Sequence, residues 1–206
     1  MSISIAAWCD DSDDLFDVSC FGYDIKTTVT DTPGVVDQWI SDIKQIHRRR
    51  LHHLIVGLDV EWRPNFRGYC NPVATLQLCV GRMCLIYQLI HTPYIPQSLV
   101  EFLGCENYTF VGVGISNDVE KLLDDYNLTV SNTVDLARLA ADRRGLRRNA
   151  GLKELAREVL GFEIAKPNRV TRSMWDVVCL SCEQIQYACV DAFVSFEIGR
   201  RLGASG

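Results

Sequence analysis

The feature that most constrains the fold is an apolar run that ends in two carboxylates. Residues 54–58 carry no charge, and Asp59-Val60-Glu61-Trp62 follows directly. A short apolar run of this kind is typical of a buried β-strand. Side chains two positions apart on a strand leave from the same face, so Asp59 and Glu61 lie together beside the core. The sequence therefore predicts a buried strand over 54–62 with a carboxylate pair at its end.

This carboxylate pair is unfavourable unless a cation neutralises it. Neighbouring like charges repel one another, and burial raises the cost of ionising each group. A hard divalent cation such as Mg²⁺ removes both costs, because it binds a few carboxylate oxygens and retains several waters. We therefore predict a metal site at Asp59 and Glu61.

Length and charge limit the class of protein. The 206 residues fit one large domain, which we place at residues 17–203 after an acidic N-terminal arm at residues 1–16. A net charge of −5 argues against non-specific coating of nucleic acid, but it permits local basic patches. Two such patches occur, at residues 47–50 and 143–148. Each is either a phosphate contact or a solvated helix end whose cations offset the helix dipole.

The cysteines and the absence of targeting patterns predict an intracellular protein of the cytoplasm or nucleus. Nine cysteines stand mostly in apolar segments, and no secretory signal, lipidation motif or membrane-length apolar run is present. Cys179 and Cys182 have the spacing of zinc ligands. No second cysteine or histidine pair accompanies them, so we expect no zinc there.

The order of predicted elements indicates an α/β fold. They are one or two edge strands within 17–30, a helix from Thr32-Pro33, the strand at 54–62, strands at 73–80 and 83–89, a helix near 96–104, a strand at 108–113, a helix opening at 114–118, a strand near 129–135, helices at 136–144 and 151–160, and a last helix from Ser181 to about Leu202. Early antiparallel strands followed by strand–helix–strand crossovers predict a mixed sheet flanked by helices.

Two of the predicted helices carry specific expectations. The helix after Thr32 has an apolar stripe made of Val36, Trp39, Ile40, Ile43 and Ile46. The helix at 151–160 is predicted to be capped by Asn149 and to stop at Gly161.

Three further polar residues are candidates for the site. Asp118 opens a helix directly after a strand, where α/β folds place site residues, although, taken alone, an ordinary helix cap explains it better. Tyr187 and Asp191 are four apart on the last helix and share one face. Taken singly, they also fit a core tyrosine and a solvated charge. Periodicity alone does not decide whether these acids meet.

Together, three segments resemble the exonuclease motifs of the DEDD superfamily, tyrosine subtype. They are Asp59-Val60-Glu61, residues 111–118, and Tyr187 with Asp191. The sequence around these motifs is most similar to the Werner-syndrome-type 3′–5′ exonuclease domain. The chain also resembles the small plant RISC-interacting clearing exoribonucleases. The resemblance implies a ribonuclease H-like (DnaQ-like) α/β fold with a mixed central sheet flanked by helices.

The resemblance also implies an activity and a mechanism. A metal-dependent 3′–5′ exonuclease would hydrolyse single-stranded nucleic acid, RNA ahead of DNA, and release nucleoside 5′-monophosphates. Two Mg²⁺ ions, for which Mn²⁺ can substitute, would act together. Asp59 would bridge both ions, Glu61 and Asp191 would complete the first, and Asp118 would hold the second. Tyr187 would orient the attacking water.

The resemblance leaves substrate contacts and partners as expectations. Val60, Trp62 and Asn117 flank the motif acids and are candidates for binding the terminal nucleotide. The expected partners are a strand with a free 3′ end, further copies of the chain in a ring, and small-RNA pathway proteins, without a membrane. Two other functions stay open. They are a DNA-repair exonuclease on recessed ends and a catalytically silent nucleic-acid-binding or scaffold module on the same fold.

Overall fold

One mixed sheet forms the centre of the molecule. The computed structural model describes residues 3–7, 15–65, 68 and 70–205. The acidic stretch at residues 10–14, which we interpreted as part of a solvated arm, lies outside the described residues. Eight strands are described: β1 (Ser4–Ala7), β2 (Leu15–Cys20), β3 (Tyr23–Thr30), β4 (Leu54–Glu61), β5 (Thr75–Val80), β6 (Met83–Tyr87), β7 (Tyr108–Gly112) and β8 (Thr133–Asp135). Their spatial order is β1-β2-β3-β6-β5-β4-β7-β8.

The pairing directions confirm the predicted mixed sheet. Strands β1 to β3 form an antiparallel meander, and β4, β5 and β6 form a second one. Parallel pairs join β3 to β6, β4 to β7, and β7 to β8. The acid-bearing strand β4 therefore lies inside the sheet, between β5 and β7.

Helices cover both faces of the sheet. The described helices are α1 (Pro33–Ile46), α2 (Gln97–Leu103), α3 (Ile115–Tyr126), α4 (Leu136–Arg144), α5 (Leu152–Leu155), α6 (Asn168–Thr171) and α7 (Cys182–Leu202). As predicted, α7 begins after a capping box, in which the Ser181 hydroxyl accepts from the Gln184 backbone and the Gln184 side chain accepts from the Ser181 backbone. No helix in the described part of the chain is long and apolar enough to span a membrane.

Two helix details differ from the prediction. Ile46 is 61% exposed, because α1 ends there and its stripe is covered by the sheet and α2 only as far as Ile43. Asn149 does not cap the next helix. That helix begins at Leu152, so Gly151 takes the N-cap position and Asn149 stands two residues too early. The chain then continues from α5 as a π-helical turn, Ala156–Leu160, before Gly161 ends it as predicted.

Two strand boundaries also differ. Strand β8 starts at Thr133 rather than near 129, so only its last three residues reach β7. Ser4–Ala7, which we assigned to the N-terminal arm, pairs with β2 as the outer strand of the sheet. The sequence reading missed it, because a four-residue outer strand shows too little alternation to be recognised.

The two faces of β4 enter different cores. Leu54, Val56, Leu58 and Val60 pack with α1, α2 and α3 on one face. The opposite face carries Ile55, Gly57, Asp59 and Glu61 and is covered by α7. The predicted alternation therefore directs both carboxylates toward α7.

Helix α7 crosses β4 at very short distance. A Cβ added at Gly57 would lie 2.1 Å from the Ala192 carbonyl oxygen and 2.8 Å from the Phe196 backbone nitrogen. Further along α7, a Cβ at Gly199 would lie 2.9 Å from Cγ2 of Val111. Only glycine permits this contact between backbones. The close crossing brings the first half of α7 against the acid-bearing end of β4.

Candidate active site

Three carboxylates from two elements meet where α7 crosses β4. Oxygen atoms of Asp59, Glu61 and Asp191 all lie within 4.8 Å of one another. The side chain of Asp191 is only 3% exposed. The strand period aligns Asp59 with Glu61, and the glycine crossing brings Asp191 to them. We call these three residues the carboxylate cluster.

Asp118 stands beside the carboxylate cluster rather than in it. It occupies the first turn of α3, which follows β7, the parallel neighbour of β4. Its charge contributes to raising the pKa of Asp59, so the two carboxylates sense one another. Burial raises the pKa of Asp118 itself to about 7, although Lys166 opposes the shift. The structure thus gathers all four acids of the three motifs at one end of the sheet.

Lys166 is a site residue that sequence reasoning missed. Its Nζ donates to Oδ2 of Asp191 at 2.5 Å and lies 5.3 Å from the centre of the Tyr187 ring. Burial alone would lower the pKa of Lys166, but Asp191 and Asp59 outweigh it, and the pKa is raised. The side chain is therefore a permanent ammonium. It stands in the irregular segment before α6, where nothing in the sequence distinguishes a site lysine from a solvated one.

The cluster holds more negative charge than Lys166 neutralises. Burial, followed by the charges of Asp191 and Asp118, raises the pKa of Asp59 well above its usual range. Burial and Asp59 raise the pKa of Glu61 to about 10. Three carboxylates facing one ammonium, with oxygens this close, fit the oxygen ligands and charge that Mg²⁺ or Mn²⁺ requires. Elsewhere in the described residues, including at Cys179 and Cys182, no comparable group of metal ligands occurs.

Tyr187 places a protonated hydroxyl at the edge of the cluster. Its ring is buried against Trp175, with 6.0 Å between ring centres, and its hydroxyl lies near enough to Asp191 to lower the pKa of that carboxyl. Burial, followed by the charge of Asp191, raises the pKa of Tyr187 far above its ordinary value. The hydroxyl therefore keeps its proton at every working pH, and it can hold a water but not deprotonate it. A cavity of about 370 Å³ opens beside Tyr187 and Asp191.

The three candidate substrate contacts differ in position. Val60 presents no side chain to the site, because it alternates with the acids on β4: its side chain is 3% exposed and packs in the core on the α1–α3 side. A contact from its main chain stays a prediction. Trp62 is half-buried, and Nζ of Lys121 lies 5.3 Å from its ring. Asn117 is exposed in the first turn of α3, next to Asp118. Trp62 and Asn117 therefore remain candidates.

Known relatives share sequence with most of the chain. The chain matches the family model described as 3′-5′ exonuclease over residues 30–205. A 3′-5′ exonuclease of Arabidopsis thaliana is 38% identical over 146 residues, which cover 69% of this chain and 50% of that protein. The mouse bifunctional 3′-5′ exonuclease/ATP-dependent helicase WRN is 31% identical over 154 residues, which cover 74% of this chain and 11% of that protein. The chain spans half or less of the length of these relatives.

Solved structures confirm the fold. The EXD2 exonuclease domain soaked in Mn and GMP superposes with a TM-score of 0.51 at 27% identity, covering 87% of this chain and 90% of that one. Escherichia coli RNase D, at 20% identity, gives a TM-score of 0.70 over 87% of this chain and 44% of that one. The predicted ribonuclease H-like α/β fold is confirmed. Since the matched segment runs from the end of β3 to beyond α7 and contains every acid described above, the chain belongs to the 3′-5′ exonuclease family.

Proposed function

We propose that this chain is a metal-dependent 3′–5′ exonuclease that acts on single-stranded nucleic acid. The observation that carries the proposal is the meeting of Asp59, Glu61 and Asp191 within 4.8 Å, in a chain of the 3′-5′ exonuclease family. A buried cluster of this kind costs stability unless a cation binds. A fold that only displayed a binding surface would gain nothing from it, which disfavours the silent module.

The carboxylates would hold two divalent ions. Asp59 would bridge both, Glu61 and Asp191 would complete the first, and Asp118 would hold the second. EXD2 exonuclease domains soaked in Mn and in Mg, which share 27% and 28% identity with this chain, support ions of this type. When bound, the ions supply charge that stabilises the attacking and leaving oxygens of an in-line displacement.

The chain's own residues position the reactants. The protonated Tyr187 hydroxyl, held at Asp191, would orient a water toward the phosphorus of the 3′-terminal phosphodiester. The attack forms a bond from the water oxygen to phosphorus and breaks the bond from phosphorus to the 3′ oxygen of the preceding nucleotide. That oxygen takes up a proton. The products are a nucleoside 5′-monophosphate and a strand one nucleotide shorter.

The choice of RNA over DNA, a ring of identical chains and small-RNA pathway proteins as partners belong to the same proposal. They rest on the resemblance to the small plant exoribonucleases. Trp62 and Asn117 lie near the acids and would contact the terminal nucleotide. A stacking contact of Trp62 with a base would contribute about 1–3 kcal/mol.

A time course on 5′-labelled strands tests the proposal. Single-stranded RNA, single-stranded DNA and a duplex with a recessed 3′ end are incubated with Mg²⁺, with Mn²⁺ and with EDTA. We expect metal-dependent shortening from the 3′ end, fastest on single-stranded RNA, and none with Asp59→Asn. Asp142→Asn, which removes an exposed carboxylate on α4, is the matched control and should cleave normally.

Each other result has a distinct meaning. Faster shortening of the recessed duplex would favour the DNA-repair alternative. A lack of shortening on every substrate and with every metal would overturn the proposed activity and favour the binding module.

A further inference from the structure

A second cavity lies at the end of β4 that is remote from the carboxylates. Its volume is about 360 Å³, and residues from β3, β4, β5, α7 and the segments after α1 and β5 line it. Its charged and titratable lining groups are His47, Arg50, His53, Arg82, Glu197 and Arg200, with Tyr23 in its wall. We call it the basic cleft.

The charge in the basic cleft is not neutralised from within. Glu197 is the only carboxylate among its described lining residues, and it is already bound by Arg200, whose Nη2 donates to Oε2 at 2.8 Å. No described carboxylate pairs with Arg50 or Arg82. Two guanidinium groups therefore stay unpaired in a chain whose net charge is −5.

The helix dipole does not account for these arginines. Lys44 and His47 stand at the last turn and C-cap of α1, where cations offset the dipole. Arg50 lies beyond that helix, and Arg82 belongs to the turn between β5 and β6. Neither follows from helix capping, and both side chains are exposed, so both guanidinium groups are available to a ligand in the cavity.

Both arginines stand on constrained backbone. The Arg50 backbone N–H donates to the His47 carbonyl at 2.7 Å, and the Arg50 carbonyl accepts from His53 at 3.0 Å. The Arg82 carbonyl accepts from Lys26 at 2.9 Å, and its guanidinium lies 5.4 Å from the Tyr23 ring centre. The backbone fixes where both side chains begin, the Tyr23 ring contacts the Arg82 guanidinium, and planar guanidinium groups suit the oxygens of a phosphate.

The distance to the active site fits a nucleic-acid strand. Along β4, Leu54 at the basic cleft and Asp59 at the cluster are about 16 Å apart at 3.3 Å per residue. Along α7, the rise of 1.5 Å per residue separates Asp191 from Arg200 by about 14 Å. At about 3.4 Å per stacked nucleotide, this span corresponds to four or five nucleotides.

We propose that the basic cleft binds a phosphate of the nucleic-acid strand whose 3′ end occupies the active site, four or five nucleotides upstream of that end. Arg50 and Arg82 are the phosphate ligands. The inference rests on the proposed function for its direction along the strand, whereas the binding of phosphate by the cleft is testable without turnover. A free nucleoside 5′-monophosphate offers the same chemistry, and the experiment separates the two sources.

Binding is measured by calorimetry with Ca²⁺ in place of Mg²⁺, using a 12-nucleotide strand, a 3-nucleotide strand and a nucleoside 5′-monophosphate. The Arg50→Gln/Arg82→Gln variant should bind the 12-nucleotide strand about tenfold more weakly and the 3-nucleotide strand unchanged. Its salt dependence for the long strand should fall by a slope of about 0.7, because about 0.7 is lost per phosphate contact with a single strand and the cleft holds one phosphate. Lys153→Gln/Arg157→Gln, which removes two exposed cations of α5 and the π-helical turn after it, is the matched control.

Three results would overturn the inference. They are unchanged binding of the long strand, an equal loss in the control variant, and a loss confined to the nucleoside monophosphate. Loss of long-strand binding in the cleft variant, in a chain that cleaves no substrate, would support the cleft and contradict the proposed activity instead.

Discussion

The Tyr187 hydroxyl is the group in the site with the simplest chemical role. It keeps its proton, because burial and Asp191 raise its pKa, so it can orient a water without acting as a base. We expect Tyr187→Phe to lower the single-turnover cleavage rate about 100-fold through lost orientation. The carboxylates remain in place, so calorimetric Mg²⁺ affinity should stay within twofold of wild type. A parallel loss of Mg²⁺ affinity would instead mean that Tyr187 acts by supporting Asp191.

The acids make stability depend on pH in a defined direction. The pKa of Asp118 is about 7 in the folded chain against an ordinary value of 3.8. The folded carboxyl holds a proton that the unfolded chain releases. The resulting stability is fully present below 3.8 and is lost as the pH rises through about 7. The pKa values of Asp59 and Glu61 are raised in the same direction.

We therefore expect the Tm in EDTA to fall between pH 6 and pH 8. Mg²⁺ should raise the Tm more at pH 8, where fewer protons compete with it for the carboxylates. Asp118→Asn should reduce the fall in Tm without abolishing it, because Asp59 and Glu61 still titrate, and scanning calorimetry at both pH values measures it. A Tm that rises with pH in EDTA would contradict this account of the site.

Lys166 competes with any metal for Asp191. Its ammonium already occupies Oδ2 of Asp191 at 2.5 Å, so a cation must displace it or share the carboxylate. We expect Lys166→Met to bind Mg²⁺ several-fold more tightly by calorimetry. The same variant should lose about 2 kcal/mol of stability in EDTA, because a buried carboxylate loses its partner. Lys166→Arg, which retains the charge, should keep the stability. A weaker affinity for Mg²⁺ in Lys166→Met would show that the lysine supports the metal site.

Among single residues, sequence periodicity and motif spacing identified more of the site than they missed. Strand alternation placed Asp59 and Glu61 on one face, and the structure has them there. The same alternation turns the Val60 side chain into the opposite core, although we had included Val60 as a neighbour of the acids without applying the period to it. Lys166 had no local signal, since its role arises only when an irregular segment folds back onto α7.

The crossing of α7 over β4 depends on one small residue. A methyl group at Gly57 would meet the Ala192 carbonyl at 2.1 Å, and neither backbone can yield without separating the two elements. We expect Gly57→Ala to cost about 3 kcal/mol in urea unfolding, the upper range of overpacking. It should also weaken Mg²⁺ binding, since Asp191 moves away from Asp59. Gly34→Ala, exposed in α1 with open space around it, is the control and should be neutral or slightly stabilising. Full stability of Gly57→Ala would contradict the close crossing.

Elements with strong periodicity were predictable, and those set by tertiary contacts were not. The interior strands and α7 follow from apolar pattern and the capping box at Ser181. The parallel pairing of β3 with β6 does not, because these strands are far apart in sequence and each could pair elsewhere. The π-helical turn at Ala156–Leu160 could not be predicted either, because the apolar pattern of a helix is the same whether or not one turn is displaced.

The whole molecule is electrostatically polar along β4 and α7. Carboxylates collect at one end and unpaired arginines at the other, although the net charge is −5. A polyanionic strand would therefore gain from cations that are remote from the acids or supplied by a neighbour, because Lys166 is already paired with Asp191. This arrangement could not be predicted from charge counts, because they do not say which end of a sheet each group reaches.

Assembly would add cations to the site. A neighbouring copy that placed its residues 143–148 beside the acids would offset their repulsion of the substrate, so we expect an oligomer that is more active than its monomer. Sedimentation velocity across a concentration series, paired with activity, measures this. A 23.3 kDa monomer with full activity would contradict the expectation.

The contact at Gly57 also limits the geometry of the carboxylate cluster. The spacing between the backbones that carry Asp59 and Asp191 is set by main chain against main chain, so only the rotamers of the two aspartates can adjust the distance between their carboxylates. Mg²⁺ accepts only short, near-octahedral coordination, whereas Ca²⁺ needs longer bonds and more ligands from an adaptable cage. A fixed backbone spacing would therefore favour Mg²⁺ over the larger Ca²⁺, and Gly57 sets that spacing.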